Sequence, residues 1–118
     1  IQILLYTEEE KFSACRDFYQ TLLRQEPYYS WNEGTQDCGA KFQAGRGTIS
    51  VLCQAHDGKT GSVIINLETE NVDETYQALV AEGKVEIVSE PVTQSYGTRY
   101  FTVKDPCGNR INLYHSNH

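Results

Sequence analysis

The sequence predicts an α+β fold of two βαβββ modules, and three observations carry that prediction. First, the order strand, helix, strand, strand, strand reads twice along the 118 residues. Second, the two helical stretches share a local echo, Tyr19-Gln20-Thr21-Leu22 and Tyr76-Gln77-Ala78-Leu79. Its offset, from 19 to 76, is close to half the chain. Third, the chain closes on Asp105-Pro106-Cys107-Gly108-Asn109 between two strand-like runs. Pro106 has a fixed φ suited to a tight turn and Gly108 can supply a positive φ, so a hairpin with a turn of three to five residues is expected.

Ile1 to Tyr6 reads as a strand with Ile3 and Leu5 on one face and Gln2, Leu4 and Tyr6 on the other. Thr7 and Glu10 form a capping-box pattern for a helix that runs to about Leu23, with Phe12, Cys15, Phe18, Tyr19 and Leu22 as its apolar stripe. Pro27 ends any continuation. Tyr28 to Asn32, Ala40 to Gln43 and Thr48 to Gln54 read as short strands separated by turn-rich Asn32 to Gly39 and Gly45-Arg46-Gly47.

The second half repeats the order. Ser62 to Glu68 is a strand with Val63, Ile65 and Leu67 on one face and Ile64, Asn66 and Glu68 on the other. Asn71 is an N-cap candidate, and Val72, Tyr76, Leu79 and Val80 give a stripe that stops at Gly83. Glu86 to Val88, Thr98 to Val103 and Arg110 to Tyr114 supply three more strands. In the last of these Ile111 and Leu113 share one face, and Arg110, Asn112 and Tyr114 the other. The expectation is one domain, 1–118, made of modules at about 1–57 and 61–118 joined at His56-Asp57-Gly58-Lys59. Each module lays one helix on one face of a short, mixed, curved sheet, and the two open faces together form a cup.

Composition narrows the function. With 39% hydrophobic and 22% charged residues the chain is an ordinary soluble type. A net charge of −6 and the absence of a Lys/Arg cluster argue against a nucleic-acid partner. No run of eighteen apolar residues suggests a membrane span. Cys15, Cys38, Cys53 and Cys107 are scattered, with no signal-peptide pattern ahead of them, which reads as reduced thiols in the cytoplasm. The chain does not start with Met, so Ile1 is not taken as the native N-terminus.

The chemistry-bearing residues are few. Cys53 and His56 have the spacing of a metal-ligand pair, but no second pair completes a four-ligand zinc site. His115 and His118 read as a solvated tail, and Cys107 as an exposed turn cysteine with no partner histidine in sight. No nucleophile elbow or phosphate loop is present. Eight Tyr, four Phe and one Trp are more informative. Phe12 and Phe18 belong to the core. Tyr6, Arg110 and Tyr114 have the parity of the open face, whereas the facing of Tyr29, Trp31, Phe42 and Tyr100 stays open. An open face with these aromatics would stack on a flat or amphipathic ligand, and Arg110 beside Asn112 would pair with its carboxylate or phosphate. The competing reading for Arg110 is an ion pair with one of the sixteen acids.

The duplicated order, the Phe18-Tyr19 pair and the run Asp105-Pro106-Cys107-Gly108-Asn109-Arg110-Ile111-Asn112-Leu113 together resemble the vicinal oxygen chelate superfamily, which contains glyoxalases, bleomycin-resistance proteins and dioxygenases. The resemblance implies a small organic ligand bound in the cup and a homodimer, in some members with modules exchanged between subunits. Metal-dependent members place up to four ligands on the cup. By spacing, those positions fall here on Leu4, on Ser50 or Leu52, on Ile64, and on Asn112, where the family has Glu. Such residues do not hold a divalent cation, so no metal, cofactor or catalytic residue is expected. The implied function is binding, by Tyr6, Tyr29, Trp31, Phe42, Asn66, Tyr100, Arg110, Asn112 and Tyr114, that sequesters a drug or metabolite without chemistry. The alternative is a metal-dependent lyase, isomerase or dioxygenase whose ligands lie elsewhere.

Overall fold

Alternating apolar residues build two mixed sheets, and the chain divides into two compact units, Ile1–Ser62 and Val63–His118. The computed structural model describes residues 2–53, 63–95 and 97–116. The His56 to Lys59 joint, the histidine of the Cys53–His56 pair, and His118 lie outside the described residues. No described helix is long and apolar enough to cross a membrane.

In the first unit the elements are β1 (Gln2–Tyr6), α1 (Phe12–Leu23), β2 (Tyr29–Trp31), β3 (Cys38–Ala44) and β4 (Gly47–Cys53). The sheet order is β1-β4-β3-β2, with β1 parallel to β4 and the other pairs antiparallel. The helix starts later than the Thr7–Glu10 pattern implies, because a 3-10 turn over Glu9–Lys11 comes first. It stops before Pro27, at Arg24, which adopts a left-handed φ of 55°. Phe12, Cys15, Phe18 and Tyr19 are buried under α1. They meet Leu5, Ala40, Phe42, Ile49 and Val51 from one face of the sheet.

Phe42 belongs to that core, which corrects its place among the ligand candidates. It is 0% exposed, and its ring lies 6.5 Å from that of Tyr19. The other face carries Leu4, Tyr6, Tyr29, Trp31, Lys41, Ser50 and Leu52, as the ladder registers require. Trp31 lies directly over Gly39, where a Cβ would collide with its ring. Glycine at 39 is therefore a requirement of close approach.

In the second unit the elements are β5 (Ile64–Glu68), α2 (Val72–Glu82), β6 (Glu86–Ile87), β7 (Val92–Thr93), β8 (Thr98–Lys104) and β9 (Arg110–Ser116). The order is β5-β9-β8-β6, with β7 also pairing β8. The two-residue β7 has no counterpart in the sequence reading. Asn71 caps α2 by accepting from the Glu74 amide at 3.1 Å. Val72 and Leu79 are buried, but Val80 is 51% exposed and does not belong to the stripe. Tyr76 packs edge-on against Phe101 of β8 with centroids 5.3 Å apart. The echoed tyrosines thus do the same work, each packing on a Phe of its own sheet.

His115 is not on a solvated tail. It is half-buried on β9, and its Nδ1 accepts the Val72 amide at 2.8 Å. Nearby, Arg99 grips Asp73 with two hydrogen bonds of 2.9 and 2.8 Å and reaches Thr93 with a third. Those guanidinium bonds hold the Asp73 carboxyl below the usual carboxylate range. A carboxyl depressed on folding contributes stability that is complete above its unfolded value, about pH 4, and is lost as pH falls through the folded one. Asp73→Asn should therefore lower the melting temperature at neutral pH and flatten its acid limb. Melting curves of both proteins between pH 2 and 6 check this, and parallel acid limbs would refute it.

The two units share one metric feature. Gln2 pairs with Thr48 and Ile64 with Arg110, so the first and last strands of each unit meet across 46 positions. The starts of β1 and β5 are 62 positions apart, whereas the helical echo is offset by 57. The first unit spends two more residues between its first strand and its helix, 7–11 against 69–71, and these include the 3-10 turn.

Candidate ligand site

The hairpin that closes the chain is held by its own side chains. Asp105 accepts from the amides of Cys107 and Asn109 at 2.9 and 2.8 Å through Oδ1, and from the Asn109 side chain at 2.8 Å through Oδ2. Asn109 Oδ1 accepts the Val63 amide at 3.1 Å, while Arg110 donates its amide to Val63 O at 3.0 Å. Gly108 closes the turn at φ 92°. Asp105 and Asn109 are almost fully buried. The turn thus fixes where β9 begins and locks it beside β5, which sets the side chains of the open face.

That face is a cavity of about 530 Å³, within the range of small-molecule sites. Its residues fall in rows across the strands. Ile64 and Arg110 are opposite one another, then Asn66, Asn112 and Thr102, then Tyr114 and Tyr100, with Thr98 and Gln94 at the far end. The middle row is a continuous chain of hydrogen bonds. Thr102 donates its hydroxyl to Asn112 Oδ1 at 2.7 Å, and Asn112 Nδ2 donates to Asn66 Oδ1 at 3.0 Å. The Arg110 guanidinium makes no hydrogen bond or ion pair with a described residue. Its neighbour on β8, Lys104, lies 3.9 Å from Glu86.

Of the residues expected from sequence to bind ligand, Asn66, Tyr100, Arg110, Asn112 and Tyr114 are brought together in this cavity. Tyr6, Tyr29 and Trp31 lie on the open face of the first sheet, where Tyr29 and Trp31 stack with centroids 5.9 Å apart. Phe42 is in the core. Sequence reasoning missed Gln94, Thr98 and Thr102. A threonine in a strand is too ordinary a signal, and only the register shows Thr102 opposite Asn112.

A family model described as Glyoxalase/Bleomycin resistance protein/Dioxygenase superfamily matches residues 13–113. The chain belongs to this superfamily. Solved members have the same fold at low identity. A glyoxalase/bleomycin resistance protein from Catenulispora acidiphila is 22% identical with a TM-score of 0.71, covering 97% of this chain and 95% of that one. A superfamily member from Sphaerobacter thermophilus is 21% identical, TM-score 0.70, with coverages of 96% and 93%. Lactoylglutathione lyase from Agrobacterium tumefaciens is 16% identical, TM-score 0.77, with coverages of 97% and 90%. No curated protein matches the sequence.

Of the positions expected from the resemblance, Leu4 pairs with Ser50 and Tyr6 with Leu52, while Ile64 pairs with Arg110 and Asn112 with Asn66. None of Leu4, Ser50, Leu52, Ile64, Asn66 and Asn112 carries an imidazole or carboxylate, so these residues do not fit a divalent cation. Both amide oxygens are also already accepting hydrogen bonds. Among the described residues no cluster of three His, Cys, Asp or Glu side chains could hold a metal.

Proposed function

We propose that this superfamily member binds a small, flat or amphipathic organic anion on the open face of its second sheet, withdrawing it from solution without metal chemistry. The observation that carries this reading is the guanidinium of Arg110, which faces the cavity with no partner among the described residues. A guanidinium offers two coplanar donors that match a carboxylate or phosphate. Tyr114, four residues beyond Arg110 on β9, and Tyr100, opposite it on β8, give the ligand's flat part an apolar, polarisable wall. The reading also takes the protein to be a cytoplasmic homodimer, in keeping with the habit of the superfamily and with four cysteines that are free thiols.

Aromatic carboxylates and aryl phosphates, each beside its neutral amide or alcohol counterpart, test the reading by calorimetry and thermal shift. The anions should raise the melting temperature, since a native-state ligand at a hundredfold excess over Kd adds about 2.7 kcal/mol. Arg110→Ala should weaken binding by roughly 10- to 100-fold, the equivalent of about 1.5–3 kcal/mol for hydrogen bonds to a charged group. Equal binding of the neutral analogues would reject the anion. Tight stoichiometric nickel, manganese, zinc or iron with a matching thermal shift would reject the metal-free reading in favour of a lyase, isomerase or dioxygenase. Sedimentation gives the oligomeric state directly.

A further inference from the structure

Cys38 and Cys53 are directly opposite one another on β3 and β4, at the end of the ladder away from the Gly45-Arg46 turn. Both are buried and free, and neither belongs to the ligand cavity. Residues opposite in an antiparallel pair have Cα atoms about 4.5–5.5 Å apart, inside the range of about 4.4–6.8 Å that disulfides span. Their side chains also share one face. Cys53 donates its thiol to the Gln36 carbonyl at 3.4 Å. Two thiols are thus side by side on one face, on strands whose register keeps them there.

Cys38 lines a cavity of about 340 Å³ beside the start of α1, whose rim carries Glu9, Glu10 and Glu33. Arg16 pairs with Glu33, while Glu9 and Glu10 remain at the rim without a described cationic partner. Burial pushes both thiols up, and the nearby Glu9 carboxylate adds to the shift. They are therefore slow nucleophiles at neutral pH, and an anionic reagent is further disfavoured at this mouth.

We propose that Cys38 and Cys53 are a cross-strand dithiol that small uncharged or cationic disulfides oxidise to an intrachain disulfide. The Cys38 thiolate attacks one sulfur of the reagent, forming a mixed disulfide and expelling one small thiolate. The Cys53 thiolate then attacks the Cys38 sulfur, closing the protein disulfide and expelling the second. The reagent is reduced to two thiols, which take up the two protons that the cysteines lose, and the protein loses two hydrogens. Cys15 and Cys107 take no part.

The test treats the native chain with cystamine, which is cationic, or with oxidised glutathione, which is anionic, and maps the cysteines by mass spectrometry. The expected product links Cys38 to Cys53 and leaves Cys15 and Cys107 titratable. Cystamine should react at least about tenfold faster at low ionic strength, with the advantage shrinking as salt screens the glutamates. Trp31, the only tryptophan, lies over Gly39 next to Cys38, so its fluorescence should fall as the link forms. Cys53→Ser should stall at a mixed disulfide on Cys38, and Cys38→Ser should not react. A link involving Cys15 or Cys107, a mixed disulfide that persists on wild-type Cys38, or no reaction would overturn the proposal. The wild-type map decides the matter even if a variant fails to fold.

Discussion

Replacing Asp105 by Ala should lower stability by about 3 kcal/mol, because it strands several buried donors at once and each unsatisfied group costs about 1–3 kcal/mol. The amides of Cys107 and Asn109 and the Asn109 side chain would all lose their acceptor. For a chain of this size that corresponds to a fall in melting temperature of roughly 12 °C. Asp105→Asn keeps one oxygen for the two amides and should lose less than half as much. The damage should also spread beyond the turn, because Asn109 holds the Val63 amide and β9 starts from that contact. Hydrogen exchange on β5 and β9 would rise together in Asp105→Ala. If exchange rises only at the turn, the lock between hairpin and β5 is not structural.

Phe42→Ala should be the costliest single change, at about 3–5 kcal/mol, since it deletes a fully buried aromatic ring from the core of the first unit. Tyr19 would lose a ring neighbour and the strand partner Ile49 its packing against Phe42. Phe42→Leu retains much of the volume and should cost less than half of that. Ligand binding by folded Phe42→Leu should match the wild type, because the side chain faces α1 and not the open face. Chemical denaturation measures the first effect and calorimetry the second. A specific loss of affinity in Phe42→Leu with stability retained would return Phe42 to the ligand site.

These two residues also show what the sequence could and could not disclose. Pro106 and Gly108 announced the hairpin because their backbone constraints are local, and Ile111 and Leu113 announced its buried face because alternation is local as well. Phe42 was ambiguous because its strand, Cys38-Gly39-Ala40-Lys41-Phe42, mixes glycine under a tryptophan with a half-buried lysine, which blurs the alternation. The pairing of Asn66 with Asn112 could not be counted from the helix. The stretch before α1 is two residues longer than its equivalent before α2, and a one-residue error in register exchanges the faces. Val92–Thr93 follows Pro91 and is too short to carry a period. The ladder Thr102–Asn112–Asn66 depends on three strands at once, so no single stretch of sequence encodes it.

The equal span between first and last strands has a consequence during synthesis. β1 and β5 each pair in parallel with the final strand of their unit, 46 positions later, and with no other strand among the described residues. At about 5–20 residues per second, each waits roughly 2–9 s for its partner to be translated. Through that interval Leu5 or Ile65, both buried at the end, is exposed on an unpaired edge. The nascent chain passes twice through the same vulnerable stage, once for each sheet.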